Sequence, residues 1–98
     1  MLKLLKVTGN SLMPFYQEGD FVVVLKIPSF LNWPKEGDIV VFRHPVYGTM
    51  IKEVVNLSAD HKEIFVLGTH PDSTDSRHFG PVHRSDLAGK VIWHIKQP

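Results

Sequence analysis

Short apolar runs separated by polar turns set the rhythm of this chain. Phe21-Val22-Val23-Val24-Leu25, Ile39-Val40-Val41-Phe42 and Ile64-Phe65-Val66-Leu67 are rich in β-branched residues, which predicts strands over helices. Residues 49–57 and 90–95 predict two more strands, and residues 2–7 alternate loosely, as an edge strand would. Gln17-Glu18-Gly19-Asp20 and Lys35-Glu36-Gly37-Asp38 predict turns that open onto strands. Pro45-Val46-Tyr47-Gly48 and Ser58-Ala59-Asp60-His61-Lys62 predict turns between strands. Residues 27–34 hold two prolines and read as a loop, residues 69–80 as a polar, ordered loop, and residues 82–86 as the lead into the last strand. No long stretch carries a helical stripe. The expectation is a mainly β, compact fold of short, mostly antiparallel strands forming a partly closed barrel, as one domain over residues 1–98. The two Gly-Asp strands look alike, but two short copies do not make a repeat protein.

Composition narrows the classes. A net charge of +1 gives no electrostatic reason to expect nucleic acid as a partner. Absence of cysteine excludes disulfides and thiolate zinc sites. No apolar run approaches the ~20 residues that span a bilayer, and residues 1–7 are too short and basic for a signal-peptide core. The chain reads as soluble, with a cytoplasmic location expected, peripheral membrane contact left open and the oligomeric state unspecified. None of the six histidines has the i, i+4 pairing of a helical zinc site. His70 and His78 share a loop with Asp72 and Asp75, but no metal or other cofactor is expected.

Candidate chemistry lies at two points. The turn Val7-Thr8-Gly9-Asn10-Ser11-Leu12-Met13-Pro14 presents a serine without the G-x-S-x-G elbow of Ser-His-Asp hydrolases. A serine hydroxyl needs a base, and a lysine can serve once its pKa falls, usually by desolvation. Alternation puts Met50, Lys52 and Val54 on one strand face, with Glu53 on the other, so Lys52 stands among apolar neighbours. Taken alone, a strand lysine is usually a solvated residue, and a serine in a Gly-Asn-Ser turn usually bonds local backbone.

A resemblance along most of the chain changes that weighting. Gly9-Asn10-Ser11-Leu12-Met13-Pro14, followed by Gly19-Asp20, resembles the serine box of the type I signal peptidase family. Gly37-Asp38-Ile39-Val40-Val41-Phe42, Ile51-Lys52-Glu53-Val54, Ser73-Thr74-Asp75-Ser76-Arg77 and Leu87-Ala88-Gly89-Lys90-Val91 resemble its later boxes in order. The resemblance implies a signal-peptidase/LexA-like β-fold and a Ser/Lys dyad, with Ser11 as nucleophile and Lys52 as general base. It implies that Ser73 orients the lysine, that Asp75 and Arg77 brace the loop, and that the Ser11 N–H faces the oxyanion. Gly9, Asn10, Met13 and Met50 become candidates for the substrate groove. The implied partner is a protein or peptide precursor that loses an N-terminal segment.

Three departures qualify the match. Gly68-Thr69-His70 replaces the family's Gly-Asp-Asn, Gly9 stands where some members carry an oxyanion-binding serine, and no anchor segment or large extra domain is seen. Small size and the run from Thr74 to Val82 resemble most the soluble maturation proteases of nickel-type superoxide dismutase. A general signal-peptidase-like processing enzyme is the alternative. A self-cleaving repressor fits poorly, since the residues before Ser11 hold no Ala-Gly. A non-catalytic β-barrel module would use Phe30-Leu31-Asn32-Trp33 as a peptide-binding patch, although those residues equally suit the end of a core.

Overall fold

The computed structural model describes residues 2–7, 16–27, 33–68 and 74–96. Among them seven strands form one antiparallel sheet: β1 (Leu2–Lys6), β2 (Phe21–Leu25), β3 (Ile39–His44), β4 (Gly48–Leu57), β5 (Glu63–Leu67), β6 (Val82–His83) and β7 (Leu87–Ile95). The order across the sheet is β1-β2-β7-β3-β4-β5-β6, so the last strand lies in the middle and joins two hairpin-like halves. β1 is an edge strand, as its loose alternation predicts.

The sheet has two cores on opposite faces. Trp33, Val40, Phe42, Val54, Ile64, Val66 and Val82 form one, while Val7, Val22, Val24, Val41 and Val91 form the other. Alternation explains the division: Val40 and Phe42 point one way, and Val41 the other. β1 and β4 are four strand spacings apart, about 19 Å in a flat sheet. Yet Lys3 and Leu5 of β1 line the same cleft of about 360 Å³ as Arg43 and Thr49. The sheet therefore curls toward a barrel without closing, because β1 and β6 do not pair with each other.

Three elements differ from the sequence expectation. A short helix α1 (Ser76–Phe79) lies inside the stretch read as loop. Val82 and His83 form a strand on β5, followed by a 3-10 turn, Arg84–Asp86. β7 then starts at Leu87, three residues before the apolar run that announces it. Its opening residues are held in line by packing: a Cβ on Gly89 would stand 2.6 Å from Val24 and 2.8 Å from the Leu25 carbonyl oxygen. Only a glycine lets β2 and β7 approach so closely. Of the apolar loop, Trp33 is in the core, and Phe30, Leu31 and Asn32 lie outside the described residues.

Candidate active site

β4 carries Lys52 directly opposite Val40 of β3. Val54, on the same face, is fully buried, and Met50 packs half-buried against the same core. Lys52 shares that burial, with 1% of its surface exposed. A charged ammonium there loses its hydration, so burial lowers its pKa from 10.5 to about 8. Two nearby charges oppose each other: the Asp75 carboxylate pulls the value up and the Arg77 guanidinium pushes it down. The fall raises the neutral fraction at neutral pH roughly 300-fold.

The Asp75–Arg77 pair is built by local structure. Asp75 has an extended backbone and caps α1, its carboxylate accepting the Arg77 N–H at 3.0 Å. The same carboxylate takes a two-pronged guanidinium contact, from Nε at 3.0 Å and Nη2 at 2.8 Å. It also accepts the Gly68 N–H at 3.0 Å, which ties the loop to the end of β5. Ser76 adds a second tie, its hydroxyl accepting the Val66 N–H at 2.9 Å. His78 is part of the cap, with Nδ1 3.4 Å from the Asp75 N–H. Asp75 itself has no exposed surface, so its charge acts on Lys52 through the interior with little water to screen it.

Ser11, Gly9, Asn10, Met13 and Ser73 lie outside the described residues, as do His70 and Asp72. Among the described residues no group of three or more histidines or carboxylates is placed to hold a metal ion. The structure therefore brings Lys52, Met50, Asp75 and Arg77 to one region around β4 and the end of β5.

Another cluster is absent from the sequence reading. His94 Nε2 stands 2.7 Å from Asp20 Oδ2, and the His94 ring stacks on Tyr16 at 4.2 Å. The partners are 74 residues apart, and only the register Val22↔His94 between β2 and β7 brings them together. A histidine within an apolar strand is a weak hint of such a contact, with no indication of its partner.

Fold and site together define a small β protein with a buried core lysine of lowered pKa. The chain belongs to the Peptidase S24-like family, which matches residues 1–92. It is 31% identical over 112 aligned positions to the mitochondrial ATP-independent inner membrane protease subunit 1b of Arabidopsis thaliana, covering 89% of this chain and 66% of the relative. It is 35% identical over 69 positions to signal peptidase I of Buchnera aphidicola subsp. Baizongia pistaciae, covering 56% of this chain and 22% of that protein. The chain thus spans less than two thirds of either relative. The signal-peptidase-like character of the motifs holds. Among the described residues no helix is long and apolar enough to cross a membrane.

Proposed function

We propose that residues 1–98 act as one catalytic domain, a serine endopeptidase with a Ser11/Lys52 dyad. The observation that carries this reading is the buried Lys52 amine, lowered to about 8 beside a braced carboxylate–guanidinium pair. A solvated strand lysine has neither feature. Neutral Lys52 takes the proton as the Ser11 oxygen attacks the scissile carbonyl. The Ser11 N–H stabilises the oxyanion. The Lys52 ammonium then protonates the leaving amine, and Lys52 next draws a proton from the water that hydrolyses the ester. Ser73 orients the amine. The substrate lies extended past Gly9, Asn10 and Met13 on one side and Met50 on the other, adding backbone hydrogen bonds.

The substrate class is a precursor protein that loses an N-terminal segment, with a small residue before the cut. Motif resemblance favours the precursor of nickel-type superoxide dismutase. The names of the two relatives favour a general processing protease. Incubation with each kind of precursor, followed by mass spectrometry of the new N-terminus, separates them.

The face of β1, β2 and β7 opposite the second core bears on location. Leu4, Val23 and Trp93 stand in one cross-strand row, and Lys6, Phe21 and Ile95 in the next. Leu2, Leu4, Phe21, Trp93 and Ile95 are all exposed. Lys6 stands in that face, and the three strands carry no carboxylate. An exposed apolar face of this kind favours peripheral membrane contact over a freely cytoplasmic enzyme. Sedimentation with anionic vesicles tests that location.

The decisive experiment is a pH–rate profile for wild type and Ser11→Ala on a peptide with Ala before the scissile bond. The dyad predicts a rate rising about tenfold per pH unit and levelling above about 8. Ser11→Ala is expected to be inactive yet folded. Full activity in Ser11→Ala removes the serine mechanism, and a folded wild type that binds peptide without cutting it leaves a β-barrel binding module.

A further inference from the structure

The turns 17–20 and 35–38 share Glu-Gly-Asp and are built alike. Gly19 and Gly37 have φ of 95° and 91°, a region that glycine enters freely. In each turn the Asp N–H donates to the carbonyl three residues back, at 3.0 and 3.1 Å. In each, the Asp carboxylate accepts the N–H of that same residue, at 3.1 and 2.9 Å. Each turn also clamps a neighbouring chain by two backbone bonds. Gly37 and Asp38 hold Val54, two residues beyond Lys52; Gly19 and Asp20 hold Val7, at the start of the segment leading to Ser11. Each Asp then reaches a nitrogen-bearing side chain on β7: Asp38 meets Lys90 at 3.3 Å and Asp20 meets His94 at 2.7 Å.

The two turns differ in burial and in what they hold. Asp38 and Lys90 are partly open to water, while the Asp20 carboxylate is 5% exposed and the His94 ring 17%. The first turn has an aromatic partner, Tyr16, stacked on His94. Asp20 is the common node. Its backbone and that of Gly19 fix Val7, and its carboxylate fixes Gln17 and His94. The segment 8–15 leaves from Val7 and returns at Tyr16, so both of its flanks converge on one buried contact with β7.

We propose that Tyr16, Asp20 and His94 form a clasp that positions the segment carrying Ser11, making Asp20 and His94 positioning residues for the reaction. This rests on the dyad reading above. A clasp of this kind acts on kcat, because misplacing a nucleophile by an ångström costs rate even when substrate still binds. It also suppresses local opening of the backbone pairs at Val7 and Gly19. Removing His94 takes one hydrogen-bond partner from a buried carboxylate, whereas loss of a partly exposed pair costs little.

The test compares His94→Ala, His94→Gln, Tyr16→Leu and Lys90→Met on the Ala-containing peptide, with amide exchange read at Val7 and Gly19. His94→Ala is expected to lower kcat about tenfold with KM within about twofold, and to speed exchange at both amides. His94→Gln keeps a donor for Asp20 and should recover most of the rate. Lys90→Met should change neither readout. Should His94→Ala fail to fold, Tyr16→Leu, which keeps the Asp20–His94 hydrogen bond, is expected to lower kcat a few-fold with faster exchange. An unchanged kcat in the folded variants, a loss confined to KM, or an equal loss in Lys90→Met overturns the clasp. Full activity in Ser11→Ala would instead remove the dyad and the clasp's role with it; an inactive Ser11→Ala beside a fully active His94→Ala removes the clasp alone.

Discussion

Lys52 and Lys90 flank the same residue. Val40 pairs with Lys52 on β4 and with Lys90 on β7, so the two lysines stand at one level on one face of the sheet. Their circumstances nevertheless differ. Lys90 keeps 36% of its side chain exposed and sits 3.3 Å from Asp38. Lys52 is 1% exposed, because Val54, Val66 and the other residues of the first core gather on its side of Val40. Position in a strand therefore does not make a lysine a base. What lowers its pKa is the loss of water around it, opposed by a carboxylate that would hold the proton and aided by a guanidinium beside that carboxylate.

The largest effect expected from this contrast is on activity. Lys52→Met fills the same space without a titratable amine and should reduce kcat/KM by roughly 10³-fold or more. Lys90→Met, at the same level of the sheet, should stay within about twofold of wild type. The measurement is cleavage of the Ala-containing peptide by both variants under identical conditions. Comparable rates in the two variants would erase the distinction between the lysines.

Stability should move in the opposite direction. The folded value of Lys52, about 8, lies below its ordinary 10.5, so between these limits the unfolded chain binds more protons than the folded one. Stability from this group consequently rises with pH across that window, and the burden of burying the charge is full below it. The shift corresponds to ~3 kcal/mol at neutral pH. Lys52→Met should therefore be more stable than wild type by up to ~3 kcal/mol near pH 7, with the gain shrinking as pH rises toward 10. Lys90→Met should change stability by less than about 0.5 kcal/mol. Urea unfolding at about pH 7 and about pH 9.5 checks the magnitude and the sign.

Much of this contrast can be read in the chain, and part cannot. The β-branched runs announce β2, β3 and β5, and alternation places Lys52 between Met50 and Val54 on a core-facing side. The helix α1 escapes because four residues are too few for a hydrophobic period; its only signal is Asp75 as a cap before Ser76-Arg77-His78. The start of β7 escapes the apolar pattern because Leu87-Ala88-Gly89 lacks an apolar run, and Gly89 is there for the closeness of β2, although the resemblance of Leu87-Ala88-Gly89-Lys90-Val91 to a closing strand does mark it. Lys90 has as good a claim to chemistry as Lys52 on alternation alone, having apolar Ala88 and Ile92 at the same-face positions. Only tertiary packing decides which lysine is covered, and only the strand register brings His94 to Asp20.

The smallest and sharpest test concerns Arg77. Its guanidinium lowers the Lys52 pKa while the Asp75 carboxylate raises it, and the two are joined at 2.8 Å. Arg77→Met removes the lowering influence and leaves the buried carboxylate less neutralised, so both consequences raise the Lys52 value. The rising limb of the pH–rate profile should move to higher pH, by about half a unit, giving a roughly threefold loss near pH 7 that disappears above the plateau. Arg77 is half-exposed, 53% at its side chain, so part of its influence is screened and the shift should shrink further in high salt. A purely structural role for Arg77 predicts a different result: a loss of rate equal at all pH values. A profile left where it is in wild type would show that the Arg77 charge does not reach Lys52, and the covered lysine would then owe its lowered value to burial.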